Sequence, residues 1–185
     1  MEMRKRKLTP HLPKDAAEIA EKGFWGNISR NKKFITDGHS MFMASDVTPG
    51  MTFKKKDPYI WRPGKPPDEA SMQRVWDAAE VREGVGAHFI GCAKLRGVLV
   101  AVIRDEQTRF FAADPYILAL CLTAVKADSL SVSAGLHYER ELLALLREGR
   151  IVALVMSMRF SETDLSGYDL SVPAVPLYSP NGGQQ

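Results

Sequence analysis

Six consecutive apolar residues, Val98-Leu99-Val100-Ala101-Val102-Ile103, are followed by the polar tetrapeptide Arg104-Asp105-Glu106-Gln107 and then by residues 108–112, Thr-Arg-Phe-Phe-Ala. No other feature constrains the fold as tightly. The apolar run has the length of a buried strand, and residues 108–112 can return as its partner. A parallel partner needs a crossover of about a dozen residues or more, so a four-residue linker permits only antiparallel pairing. Residues 32–45 read as a second strand pair. Phe34 and Ile35 lead into Asp37-Gly38, a turn dipeptide in which glycine takes φ > 0 without steric cost, and Met41, Phe42 and Met43 continue in extended form. In residues 129–133, Leu130 and Val132 alternate with serines, which gives a short strand.

Three helices are expected on this sheet, at 14–22, 68–81 and 115–125. In the first, Leu12, Ala16, Ile19 and Ala20 fall at helical spacing between Pro13 and Gly23. In the second, Met72, Val75, Trp76 and Ala79 form an apolar stripe, and Asp68 and Glu69 complement the N-terminal dipole. In the third, Asp114 can cap, Pro115 fits the first turn, and Ile117, Leu118, Cys121, Leu122 and Val125 line one face. Residues 139–160 admit two readings. Propensity makes the first half a helix capped by Gly149. The alternative is a hairpin turning at Glu148-Gly149 into the β-rich run Ile151-Val152-Ala153-Leu154-Val155-Met156.

The fold class is therefore α+β, with helices packed on antiparallel sheet. The expected core is Val98, Val100, Val102, Ile117, Leu118, Cys121, Leu122, Val152, Leu154 and Met156. The 185 residues make one domain at 11–170, with a flexible basic arm at 1–10 and a flexible tail at 171–185. Residues 46–67 form a proline-rich insertion, because five prolines in 22 positions exclude a continuous helix or a central strand.

Net charge is +3, unevenly distributed. Residues 1–74 carry 15 Lys and Arg against 9 Asp and Glu; the rest carry 10 against 13. The basic excess gathers in Arg4, Lys5, Arg6 and Lys7, in Lys32 and Lys33, and in Lys54, Lys55 and Lys56. Such clusters can contact a phosphate backbone, although solvated loops carry similar runs. In the insertion, Arg62 lies among Tyr59 and Trp61, an arrangement able to contact phosphate and stack on bases, or simply to pin the loop by its aromatics. Two cysteines exclude a disulfide framework, and no apolar run reaches membrane-spanning length. Leu8 is followed at once by Thr9 and Pro10, unlike a secretory signal, so a cytoplasmic location is expected with no membrane partner.

Chemistry-bearing motifs are sparse. The four histidines have no metal-ligand spacing, and neither a metal nor a cofactor is expected. Asp37 beside His39 could orient a base, but the side chains more often close a turn, so Asp37, Gly38 and His39 are read as structural. Cys121 sits on an apolar helix face, and Cys92 is expected to be inert. Gly84-Val85-Gly86 is too short for a phosphate cradle.

Two stretches together resemble bacterial DNA sliding clamps, the processivity rings of replicative polymerases. Phe34-Ile35-Thr36-Asp37-Gly38-His39 is similar to that family's T-D-G-H-R-L element, with Ser40 in place of the arginine. Ala153-Leu154-Val155-Met156-Ser157-Met158-Arg159-Phe160 is similar to its closing strand, L-M-P-M-R-L, with Ser157 in place of the proline. From 98 to 160 the expected order of strand, turn, strand, helix and three strands resembles half a clamp domain. The resemblance covers 32–44 and 98–160, and the chain has room for about one domain where a clamp chain has three.

The resemblance implies a hairpin at 142–160. It also implies a non-enzymatic, single clamp-like domain of phage or mobile-element type that associates with DNA or replication proteins and can form homo-oligomers. In such a fold helices face the duplex. The candidate phosphate contacts are then Arg4, Lys5, Arg6, Lys7, Lys14, Lys22, Lys32, Lys33, Lys54, Lys55, Lys56, Arg62 and Arg74. The alternative is a protein-binding module that inhibits or modulates a host replication or defence complex. An enzyme using Asp37 and His39 ranks last.

Overall fold

In a computed structural model the chain is described over residues 5–13, 24–26, 29–30, 33–49, 53–55, 68–81, 84–134, 141–158, 160 and 162–176. The expected helix at 14–22 and most of the proline-rich tract lie outside these residues. In chain order the elements are β1 (Phe24–Gly26), β2 (Ser29–Arg30), β3 (Phe34–Thr36), β4 (Ser40–Met43), β5 (Phe53–Lys55) and α1 (Glu69–Val81). There follow β6 (Val85–Leu95), β7 (Val98–Asp105), β8 (Phe110–Ala113), α2 (Pro115–Val125), β9 (Ser129–Ala134), β10 (Glu141–Arg147) and β11 (Arg150–Met156).

Nine strands form one sheet in the order β2-β3-β4-β11-β10-β9-β6-β7-β8, and every neighbouring pair is antiparallel. β1 and β5 form a separate parallel pair, and β5 lies inside the 46–67 span expected to be irregular. Beyond β11 the Met158 N–H donates to Ala112 O in β8, at 2.7 Å. Five strand-to-strand steps separate β11 from β8. This bond therefore requires the sheet to curl back on itself.

The curl encloses α2. Asp114 Oδ1 accepts from the N–H groups of Tyr116 and Ile117, and Lys126 ends the helix in the left-handed region. An amphipathic helix buries one stripe, but Leu118, Ala119, Leu120, Cys121, Leu122, Ala124 and Val125 are all buried. They pack against residues from β3, β4 and β6 through β11. α1 lies on the other side of the sheet. Its start is capped by Asp68, whose carboxylate accepts from Ser71 N–H at 2.7 Å. Met72, Trp76 and Ala79 pack there on Phe34, Met41, Leu142, Ala144 and Leu154.

The ambiguous segment is a hairpin. Leu142 pairs with Met156, Leu143 with Val155 and Arg147 with Arg150. Glu148 and Gly149 both take positive φ, 54° and 74°, the tight turn whose twist matches a hairpin. Burial between two helices outweighs helix propensity, which differs by only a few tenths of a kcal/mol per residue among ordinary residues.

Three of the expected core residues are corrected. Val98 is 53% exposed because it opens β7 next to the Arg96-Gly97 turn, while Ile117 and Met156 are only partly buried. The basic arm is docked over residues 5–10. Leu8 is buried, Arg6 N–H donates to Gly167 O, and Thr9 exchanges two backbone bonds with Cys92. Within the expected tail, Val175 N–H donates to Phe89 O at 2.7 Å.

Candidate functional site

The two stretches that carry the family resemblance lie side by side. β4 pairs with β11 through Met41 and Leu154, and Met156 N–H donates to His39 O at 2.8 Å. The turn between β3 and β4 is closed by its own side chains. Asp37 Oδ1 accepts from His39 N–H, Ser40 N–H and Ser40 Oγ, and Thr36 Oγ1 donates to Ser40 O at 2.6 Å. Gly38 takes φ 87° here. Among the described residues no hydrogen bond joins the Asp37 carboxylate to the His39 ring, and the bonds that are made hold the turn.

Of the candidate phosphate contacts, the described side chains are Lys5, Arg6, Lys7, Lys33 and Arg74, and they fall in two groups. Arg4, Lys14, Lys22, Lys32, Lys56 and Arg62 lie outside the described residues, and Lys54 and Lys55 are described only as the backbone of β5. Arg6 stacks its guanidinium 5.8 Å from the Tyr168 ring centroid. Lys5 and Lys7 lie near Asp169, whose carboxyl is held below its ordinary range chiefly by the Ser171 hydroxyl and N–H, with the two lysines adding to the effect. Lys33 Nζ donates to Gln73 Oε1 on α1 at 2.5 Å, which brings Lys33 and Arg74 to one side of the molecule. There Arg74 shares the exposed surface of α1 with Glu69, Asp77 and Glu80. α2 carries no Lys or Arg and is enclosed. α1 and α2 share no surface. They lie on opposite sides of the sheet, and the exposed outer surface of α1 is net acidic.

A charged cluster that sequence reading missed joins distant segments. Asp46, buried in the 3-10 turn Ala44–Asp46, accepts from Arg147 Nη2 at 2.9 Å and from Arg150 Nη2 at 2.6 Å. Arg147 Nη1 also donates to Val125 O at the C-terminal end of α2. The signal was available once the hairpin is accepted, because the Glu148-Gly149 turn sets two arginines directly opposite each other, which costs stability without an anion between them. A second cluster holds the β7–β8 loop, where buried Asp105 accepts from Arg109 N–H and Nε at 2.8 Å each.

Both cysteines are buried thiols. Burial pushes Cys92 up to about 12, and Cys121 is raised well above its ordinary value by burial and by the nearby Asp37 charge. Neither has the electropositive, exposed setting of a reactive thiol. Among the described residues no three His, Cys, Asp or Glu side chains could hold a metal, and no helix is long and apolar enough to cross a membrane.

A concave feature lies where β6 and β9 meet. A cavity of about 680 Å³ is bounded by Gly86, Phe89, Leu130, Leu146 and residues 174–176. A neighbouring one of about 390 Å³ shares Gly84, Ser131 and Leu146 with it and leads to Arg150. No family model, curated protein or solved structure matches this chain.

Proposed function

We propose that this chain is a non-enzymatic, single clamp-like domain that acts by binding a protein of a replication complex. The observation that supports the reading is the pairing of β4 with β11. The two stretches that together resemble one family are more than 100 residues apart in sequence, and they are hydrogen-bonded neighbours in the sheet. The observed order β7, turn, β8, α2, β9, β10, β11 is also the order that the resemblance implies. A protein partner is favoured over a duplex by the distribution of charge. Phosphate binding rests on several cations along one face. Among the described residues, Lys5 and Lys7 lie near a carboxylate, and Arg74 shares the exposed surface of α1 with three.

The test is affinity capture of partners with and without nuclease, with the retained proteins identified by mass spectrometry. Stoichiometric retention of a replication protein after nuclease treatment is the expected result. Capture that disappears with nuclease, together with duplex binding that weakens steeply as salt rises, would replace this reading with direct DNA association.

A further inference from the structure

Where β6 begins, two glycines leave the sheet without side chains. Gly84 stands just before β6 and Gly86 lies inside it. A Cβ at Gly84 would come within 2.6 Å of Ser131 Oγ, and a Cβ at Gly86 within 2.6 Å of Glu106 Oε1. The Ser131 hydroxyl and the Glu106 carboxylate therefore lean over bare backbone. Gly86 and Ser131 are directly paired, so both polar groups stand on one face of the sheet. Ser131 lines both cavities described above and is only 8% exposed, and among the described residues nothing bonds its hydroxyl. A buried hydroxyl without a protein partner is satisfied by water or by a ligand. The larger cavity is in the size range of small-molecule sites.

We propose that the groove formed by these cavities binds a linear aliphatic polyamine, with ammonium groups on the Glu106 and Asp128 carboxylates and at the Ser131 hydroxyl. This site is separate from the β4–β11 pairing that supports the protein-binding reading and does not depend on it.

The charge of the lining selects a cation. Among the described residues around the larger cavity, the charged side chains are Glu106 and Asp128, and His88 is the third titratable group. The neighbouring cavity adds Glu80 and Arg150, and that arginine is already bonded to both carboxylate oxygens of Asp46. Asp128 is held in its charged form by the Glu148 N–H and the Ser129 hydroxyl. A metal ion fits poorly, because among the described residues no three His, Cys, Asp or Glu side chains could hold one. The two carboxylates belong to different segments, one after β7 and one before β9, and half-buried Leu146 and Val175 share the lining with them. Methylenes joining two ammonium groups match separate anions and an apolar lining, and each ammonium–carboxylate bond is charge-assisted. Recognition falls to side chains, since the β6 backbone beside the groove is bonded to β9 and to the Val175 N–H.

The probe is spermidine, titrated calorimetrically into the full chain at about 0.15 M salt, where exposed charges more than about 8 Å apart are largely screened. Glu106→Gln and Asp128→Asn should each weaken binding about tenfold or more, the loss of one hydrogen bond between charged groups. Gly86→Ala keeps every charge and displaces only the flexible end of Glu106, and it should weaken binding at least about fivefold. Glu69→Gln, which removes an exposed carboxylate of α1 outside the groove, should change nothing. Butylamine, with a single ammonium group, should bind at least about tenfold more weakly than spermidine.

No binding of spermidine by the parent chain overturns the proposal. So does a loss in Glu69→Gln equal to that in Glu106→Gln, unchanged binding by Gly86→Ala, or butylamine binding as tightly as spermidine. If Gly86→Ala fails to fold, amide chemical shifts of the unmodified chain decide. Spermidine should move the Gly86, Glu106 and Ser131 signals, and shifts confined to α1 overturn the proposal.

Discussion

The side of the sheet facing away from α2 is covered in two different ways. Over β3, β4, β10 and β11 the cover is α1, where Met72, Trp76 and Ala79 meet Phe34, Met41, Ala144 and Leu154. Over β6, β7 and β8 the cover is irregular chain, where Leu8, Leu165 and Tyr168 meet Ile90, Val100, Val102 and Ala112. The helix satisfies its own backbone and needs only an apolar stripe. The irregular cover must find a partner for each polar group. Arg6 N–H goes to Gly167 O, Asp169 N–H goes to Arg6 O, and the Tyr168 hydroxyl bonds both Lys94 N–H and Lys94 O at 3.0 Å. The first kind of cover is specified locally, and the second only by the completed fold.

The largest effect is expected in the helical half. Trp76 is 1% exposed, its ring lies 5.5 Å from that of Phe34, and its Nε1 donates to Glu80 Oε1 at 2.8 Å. Trp76→Ala should cost about 3–5 kcal/mol in chemical denaturation. A loss under about 1 kcal/mol would mean that α1 can leave the sheet without consequence, and the contrast between the two covers would reverse.

Leu165 is the counterpart under the irregular cover, fully buried at the end of the 3-10 turn Glu162–Leu165. Leu165→Ala should cost about 2–3 kcal/mol, toward the low end for a buried leucine because irregular chain can settle into the space. If stability is unchanged and only residues 162–172 lose exchange protection, this half of the cover opens independently of the domain.

The same contrast explains what could be read in the sequence. Asp114-Pro115 and the stripe Met72, Val75, Trp76, Ala79 are local signals, and both helices stand within one residue of their expected bounds. The hairpin at Glu148-Gly149 was legible as one of two alternatives, since Glu-Leu-Leu-Ala-Leu-Leu-Arg suits a helix and only pairing on both sides makes it a strand. Ser131 and Ser133 alternate with Leu130 and Val132, yet all four are buried, and Ser133 Oγ donates to Ala79 O at the end of α1. That depends on which helix crosses there, and no alternation pattern encodes it. The docking of Leu8 beside β6, about 80 residues away, has no local signature, and although the facing pair Arg147 and Arg150 calls for an anion, nothing local names Asp46, about 100 residues away, as that anion. The candidate site was less legible than the fold. The resembling stretches pair in the sheet, whereas surface charge has no period that fixes where it faces.

A smaller effect isolates the polar part of the irregular cover. Tyr168→Phe keeps the ring and removes both bonds to Lys94. The expected loss is about 1–2 kcal/mol, accompanied by faster exchange of the Lys94 amide. An unchanged Lys94 amide would show that the hydroxyl is not what holds residues 162–172 to β6.

The smallest effect compares the turns at the two hairpins. Glu148-Gly149 and Arg96-Gly97 both place an L residue in the left-handed region, at φ 54° and 49°. That conformation costs an ordinary residue roughly 1–2 kcal/mol, and asparagine tolerates it better. Glu148→Asn keeps the backbone N–H that donates to Asp128 Oδ2 and touches no side-chain pair described here. It should raise stability by about 0.5–1 kcal/mol, read as a shift in denaturation midpoint at constant slope. Arg96→Asn relieves the same strain, but it also removes the exposed pair between Arg96 Nη2 and Asp164 Oδ1, 2.9 Å apart, which ties the β6–β7 turn to the irregular cover. An exposed pair contributes at most about 1 kcal/mol, so the two changes should nearly cancel. If Arg96→Asn stabilises as much as Glu148→Asn, the Arg96–Asp164 pair contributes nothing to holding the cover in place, and that half of the sheet is covered by apolar packing and backbone bonds alone.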